Sequence, residues 1–192
     1  MIPYSRQFID KTDIKIINKA LTSDLITQGN LNKRFEKEVS GKLKSKYAIT
    51  TNSATSALHI SCIALGLSKG DIFWTVPNTF VASANAGIMC GAKVDFVDID
   101  SETLNISVLE LEKKLIKSKK NNTLPKLIIP VHFGGQPTFQ EKIWKLSKKY
   151  NFKIIEDASH SVGSSRKKNY VGSCKWSDIT VFSFHAVKII TT

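Results

Sequence analysis

The stretch Lys153-Ile154-Ile155-Glu156-Asp157-Ala158-Ser159-His160 is a short apolar run that ends abruptly in two carboxylates and, three residues on, a histidine. Residues 153–155 read as a buried strand, and the turn that follows is where chemistry would sit. Two acids at the end of an apolar strand are costly to desolvate unless they find partners. By itself, Glu-Asp after a strand fits metal ligation, a cap or a surface turn equally well.

Outward from this run the same kind of segment recurs. Tyr47–Thr50, Ile72–Val76, Val94–Val97, Lys126–Val131 and Ile179–Phe182 are further short apolar strand candidates. Between them lie the helical stretches Ser56–Leu65, Phe80–Cys90, Val108–Ser118 and Phe139–Tyr150. Upstream, Ile14, Ile17 and Leu21 recur at helical spacing behind Thr12 and Asp13, a plausible N-cap region, and a second amphipathic stretch runs from Leu31 to Leu43. Short apolar strands separated by helices predict an α/β fold: a mostly parallel sheet sandwiched by helices. Ligands in such sheets sit beyond the carboxyl ends of the strands, so the loops after strands are the ones to read. There is no internal repeat, and the run Lys117–Asn122 reads as an exposed loop.

A chain of 192 residues, 42% hydrophobic and 23% charged, is long enough for one well-buried core and has the balance of a soluble globular protein. No stretch approaches the ~20 uninterrupted apolar residues of a membrane span. The start Met1-Ile2-Pro3-Tyr4-Ser5-Arg6-Gln7 has the order of neither a secretory signal nor a transit peptide, and a cytoplasmic protein is expected. Cys62, Cys90 and Cys174 are odd in number and lack C-x-x-C pairing, which argues against a disulfide framework or a zinc site; no metal is expected. Asn105-Ile106-Ser107 and Asn121-Asn122-Thr123 match glycosylation acceptors, which read as chance matches without an export signal.

The net charge of +12 raises nucleic acid as a partner. The lysines are scattered over helix faces, however, from Lys113 to Lys120 and again from Lys142 to Lys149, and no helix-turn-helix, zinc finger or RNP-type strand accompanies them. These lysines read first as solvated helix faces, and a nucleotide-linked or phosphate-bearing small molecule would also be drawn to such a surface.

Each of the remaining strand-following loops is weak alone. Thr51-Asn52-Ser53-Ala54-Thr55-Ser56-Ala57-Leu58 places hydroxyls at a helix N-terminus, which suits a phosphate or an ordinary cap. Neither G-x-x-x-x-G-K-[ST] nor G-x-G-x-x-G occurs, so triphosphate and Rossmann dinucleotide readings lose their main support. Phe80, in Pro77-Asn78-Thr79-Phe80, could stack on a flat heterocycle or join the core. In Phe182-Ser183-Phe184-His185-Ala186-Val187-Lys188, Ser183 could add a phosphate donor, and Lys188 could attack an aldehyde or lie on the surface. Together they match one requirement: pyridoxal phosphate (PLP) needs a phosphate cup, a stacking ring, an acid on its pyridine nitrogen and a Schiff-base lysine.

On these motifs the chain resembles the fold-type-I sugar aminotransferases of the DegT/DnrJ/EryC1/StrS family. The resemblance runs from Ile2-Pro3-Tyr4 and Thr27-Gln28-Gly29 through Asn52–Leu58, Pro77–Ala82, Gly91–Asp100 and Pro130–Pro137 to Glu156–His160 and Ser183–Lys188. It implies a PLP-dependent transferase large domain in which Lys188 is the Schiff-base lysine and Asp157 the partner of the pyridine nitrogen. It further implies that Phe80 stacks on the ring, that Thr55, Ser56 and Ser183 contact the phosphate, and that His160 sits near the phenolic oxygen. Lys188 stands where the related sugar 3-dehydratases have histidine.

Pro77–Ala82, Val131–Pro137, Gly172–Lys175 and Lys188–Thr192 are similar to one branch of the family. That branch aminates the C4 ketone of a UDP-linked 4-keto-6-deoxy-N-acetylhexosamine on the way to pseudaminic acid, with L-glutamate as the implied amino donor and a homodimer as the implied assembly. Two departures stand out. The family's usual glycine before Thr55 is Ala54 here, and family members continue past the lysine with a G-E-G-G turn, further strands and a small C-terminal domain. The resulting expectation is an N-terminal segment, 1–30, and an incomplete cofactor-binding large domain, 31–192, that is not competent alone. The alternative is a non-catalytic remnant or partner-binding fragment.

Overall fold

The computed structural model describes Ile2 and residues 6–191; Pro3 and Tyr4 of the family resemblance, and Thr192, lie outside the described residues. In chain order the elements are α1 (Lys11–Leu21), α2 (Asn30–Leu43), α3 (Ala54–Ala64), β1 (Ile72–Thr75), α4 (Ala82–Ile88), β2 (Lys93–Phe96) and α5 (Val108–Lys120). They continue with β3 (Leu127–Ile128), α6 (Gln140–Tyr150), β4 (Lys153–Asp157), β5 (Ser165–Arg166), β6 (Asn169–Tyr170) and β7 (Ile179–Val181). A five-stranded sheet runs in the order β2-β1-β3-β4-β7 with every neighbouring pair parallel, and β5 and β6 form a separate antiparallel pair.

Alternation along the strands explains the two covering layers, because successive side chains leave a strand on opposite faces. Trp74, Ile128 and Ile154 join Leu111 and Leu115 of α5 and Ile143 and Leu146 of α6 in one buried cluster. Phe73, Leu127, Ile129 and Ile155 join Leu58 and Cys62 of α3 and Ala82 and Ala86 of α4 in the other. Burying a large apolar side chain contributes about 1.5–3 kcal/mol, so the central strands β1, β3 and β4 are held from both sides. A Cβ at Gly87 would run into the Phe73 ring, so glycine lets α4 lie this close to β1.

Most predicted elements form, with four corrections. Tyr47–Thr50 is not a strand: among the described residues no strand pairs with it, Tyr47 and Ile49 are exposed, and Thr50 donates its N–H and hydroxyl to Glu36 of α2 at 2.7 and 2.8 Å. Apolar alternation favours an extended chain, but a strand also needs a hydrogen-bonding neighbour. Lys126–Val131 shrinks to Leu127–Ile128, with Val131 bridging to Asp157 in isolation. Lys117–Lys120 is the last turn of α5 rather than a loop, where lysines complement the negative end of the helix dipole. The cap of α1 is Asp10, which accepts from the N–H groups of Thr12 and Asp13 while Asp13 accepts from Asp10 in return, a reciprocal capping box.

The path from β1 to β2 runs one way across the sheet and from β2 to β3 back past β1, so β1 lies at a topological switch point. The carboxyl ends of β1, β3, β4 and β7 therefore border the crevice where α/β sheets bind ligands. Among the described residues no helix is long and apolar enough to cross a membrane.

Candidate active site

Glu156 and Asp157 are both buried, and the pleat sends them to opposite faces. Glu156 follows Ile154 toward α6, where its Oε1 accepts from Gln140 Nε2 at 2.6 Å, while Oε2 accepts from the hydroxyls of Ser177 at 3.0 Å and Thr180 at 2.8 Å. His132 Nδ1 accepts the Thr138 N–H at 3.1 Å, so the ring carries its proton on Nε2, which faces Glu156 Oε1 at 3.4 Å. That is close enough for electrostatic attraction but outside hydrogen-bond alignment, and the contact is that of a polar N–H with a carboxylate. Burial alone would push the Glu156 acid up; His132, Gln140 and Thr180 more than offset this and hold it below the ordinary range.

Asp157 follows Ile155 toward α3 and α4. Its Oδ1 accepts the Ser159 N–H at 3.1 Å and hydroxyl at 2.6 Å, and its Oδ2 accepts the Ser83 hydroxyl at 2.7 Å. Its backbone is fixed as well, donating to Pro130 and accepting from His132. The same turn carries His160, whose Nε2 lies 2.8 Å from Lys188 Nζ beyond β7. Burial and then the Lys188 charge push the His160 imidazole below its ordinary range, against the opposing pull of Asp157. A depressed imidazole is a neutral one, able to accept a hydrogen bond from the lysine.

The remaining sequence-predicted residues border the same face. Thr55 and Ser56 open α3, whose cap Ser53 accepts the Ser56 N–H at 3.1 Å. The Ala54 and Thr55 N–H groups, first in the helix, have no intrahelical acceptor, so this end presents donors and a positive dipole. Ala54 is absent from the positive-φ residues and sits in ordinary helical conformation, so the departure from glycine strains nothing. Phe80, at the end of the loop after β1, has an exposed ring. Ser183 is buried at the end of β7 and accepts the His185 N–H at 3.4 Å within its own loop.

His160 and Lys188 are thus brought into contact, with Asp157 three residues upstream of His160 at the end of β4, whereas no bond joins Thr55, Ser56, Phe80 or Ser183 to these three among the described residues. The set fits PLP: unpartnered N–H groups with nearby hydroxyls suit a phosphate, the acceptor-only carboxylate suits a protonated ring nitrogen, and the lysine beside a neutral imidazole suits an aldehyde. Sequence reasoning missed Ser83 and Thr79, which share a hydroxyl–hydroxyl bond of 2.8 Å, and missed the Glu156 partners. The i, i+4 spacing of Thr79 and Ser83 was visible; that it faces a carboxylate 74 residues away was not.

Residues 7–192 match the DegT/DnrJ/EryC1/StrS aminotransferase family. The chain is 45% identical over 192 residues to the UDP-4-amino-4,6-dideoxy-N-acetyl-beta-L-altrosamine transaminase of Campylobacter jejuni subsp. jejuni serotype O:23/36, covering 100% of this chain and 49% of that protein. Its fold superposes with a TM-score of 0.89 on Helicobacter pylori PseC, an aminotransferase involved in pseudoaminic acid biosynthesis, at 34% identity over 98% of this chain and 49% of that one. On NtdA from Bacillus subtilis with bound cofactor PMP the TM-score is 0.81, at 30% identity over 95% of this chain and 40% of that one. The chain spans about half the length of the curated relatives it matches.

Proposed function

The chain belongs to the DegT/DnrJ/EryC1/StrS aminotransferase family, whose members are PLP-dependent, and from that premise we propose that its protein transfers an amino group to a nucleotide-linked keto sugar. The observation that carries this reading lies at the carboxyl edge of the sheet: a buried Asp157 whose following turn delivers His160 to within 2.8 Å of Lys188. When bound, PLP supplies an electron sink that stabilises negative charge on the carbon losing a proton. The protein's own groups do the rest. Asp157 would hold a proton on the ring nitrogen, Lys188 would hold the cofactor through its amine, and His160 would keep Lys188 oriented by accepting a hydrogen bond from it. Thr55, Ser56 and Ser183 would hold the phosphate, and Phe80 would stack on the ring.

In finer detail, the substrate is the C4 ketone of a UDP-linked 4-keto-6-deoxy-N-acetylhexosamine and the amino donor is L-glutamate, in the cytoplasmic synthesis of a pseudaminic-acid-type sugar. The similarity to the Campylobacter jejuni altrosamine transaminase and to the Helicobacter pylori aminotransferase of pseudoaminic acid biosynthesis supports this reading. The net charge of +12 suits an anionic nucleotide sugar. Residues 31–192 belong to the cofactor-binding large domain, with 1–30 as an N-terminal segment, and the working assembly is a homodimer. The division suits α1, which has no buried residue, and α2, whose Phe35 packs edge-on against Phe184 at 5.1 Å. The test is to load the protein with PLP and follow glutamate-dependent amination of the UDP-4-keto sugar. Conversion at the C4 position supports the proposal; cofactor uptake without amination of any nucleotide-linked keto sugar overturns it.

A further inference from the structure

We infer that Thr79 and Ser83 form a one-way hydroxyl relay that positions Asp157, a role resting on the cofactor reading above. Ser83 Oγ is fully buried and touches two oxygens, Asp157 Oδ2 at 2.7 Å and Thr79 Oγ1 at 2.8 Å. An ionised carboxylate can only accept, and a serine hydroxyl has a single proton to give. The Ser83 proton therefore points at Asp157, and the Thr79–Ser83 bond must run from Thr79 to Ser83. The direction Thr79 to Ser83 to Asp157 is forced by this proton count, and each bond in such a chain polarises the next.

The chemical consequence lies in what Asp157 can hold. Oδ1 already takes two donors from Ser159 in its own turn, so among the described residues the Ser83 bond supplies the side-chain anchor from outside that turn and ties β4 to the start of α4. Hydrogen bonds to the charged form favour it, and a carboxylate fixed in charge and orientation holds a proton on the ring nitrogen facing it. α4, reading Ala82-Ser83-Ala84-Asn85-Ala86-Gly87-Ile88, brings no ionisable side chain to compete. Ser83 acts through Asp157 and is a positioning residue.

The experiment is nitrogen NMR of PLP carrying a labelled ring nitrogen, bound to the parent protein and to Ser83→Ala, Ser83→Thr and Thr79→Val, with melting curves to verify the fold. Ser83→Ala is expected to lower the proton affinity of the ring nitrogen by about tenfold, one pKa unit, for loss of one bond to a charged group. Ser83→Thr, which keeps the hydroxyl, restores it, and Thr79→Val moves it less in the same direction. A ring-nitrogen titration in folded, loaded Ser83→Ala that coincides with the parent overturns the relay. Should Ser83→Ala fail to fold or load, Thr79→Val carries the test, and no shift there overturns the directional chain. A parent protein that takes up no PLP, or holds it with an unprotonated ring nitrogen, overturns the cofactor reading itself.

Discussion

Lys188 Nζ and His160 Nε2 lie 2.8 Å apart although they come from loops after different strands, β7 and β4. The lysine is only partly buried, so the contact is a matter of placement rather than of desolvation. It places this amine against an imidazole, whereas Lys113, Lys126 and Lys167 pair with carboxylates. Borohydride reduction of the PLP-loaded protein followed by peptide mapping is expected to leave the pyridoxyl group on Lys188. A label on another lysine would refute the assignment.

His160 makes this contact sensitive to pH. Its folded-state value lies below the ordinary 6.5, chiefly through burial and then the Lys188 charge. The sign follows from linkage: the stability from the neutral ring is fully present above the unfolded value near 6.5 and is lost as pH falls through the lower folded value. The melting temperature is expected to decline across that window. His160→Gln, which keeps an acceptor but cannot protonate, should flatten the decline, and an unchanged slope would remove His160 from the account.

Asp157 and Glu156 occupy opposite faces of one strand, which separates their roles. Asp157→Asn is expected to leave PLP able to link to Lys188 while lowering turnover by about tenfold to a hundredfold, the equivalent of ~1.5–3 kcal/mol of charge-assisted bonding. Glu156→Gln keeps an acceptor for Gln140 and gives an amide the Ser177 and Thr180 oxygens can receive, so it should cost about 1–3 kcal/mol in stability with turnover largely kept. The Glu156 acid is held below its ordinary 4.5, so its contribution is complete above that pH and vanishes as pH drops through the folded value. The difference in melting temperature between parent and Glu156→Gln should therefore shrink in acid. Equal loss of turnover in the two variants would contradict the separation.

The layered fold was legible, and so was the placement of the candidate residues at strand ends, because both rest on local patterns. Ile154 and Ile155 announce a strand buried on both faces, and position after a strand marks Asp157 and Lys188 as borders of the crevice. What failed needed a partner remote in sequence. Tyr47–Thr50 has strand composition, yet its bonds go to Glu36, and composition carries no information about the neighbour. Composition alone left Glu156 and Asp157 an equivalent acidic pair, and it was the family resemblance that set Asp157 apart; the opposite faces given by the pleat agree with that separation. The hairpin β5–β6 was missed because Lys167 and Lys168 turn it with positive φ, where asparagine or glycine is the usual signal.

Gly135 lies against the backbone of His160. In the loop after β3, Gly134 and Gly135 both have positive φ, 57° and 87°. A Cβ at Gly134 meets nothing within 4 Å, whereas one at Gly135 would lie 2.6 Å from the His160 carbonyl oxygen, a backbone atom with little freedom to retreat. Gly134→Ala should therefore cost only the left-handed conformation, about 1 kcal/mol. Gly135→Ala adds a steric push on the residue that holds Lys188. It is expected to destabilise by ~2–4 kcal/mol and to displace His160, so that the pH-dependent part of the melting temperature diminishes and PLP attaches to Lys188 more slowly. Melting curves between pH 5 and 8, about the range over which an imidazole changes charge, and the rate of cofactor uptake measure both effects. If the two alanine variants behave alike in uptake rate and pH slope, the loop does not buttress His160, and the contact with Lys188 must be kept by the turn after β4 alone.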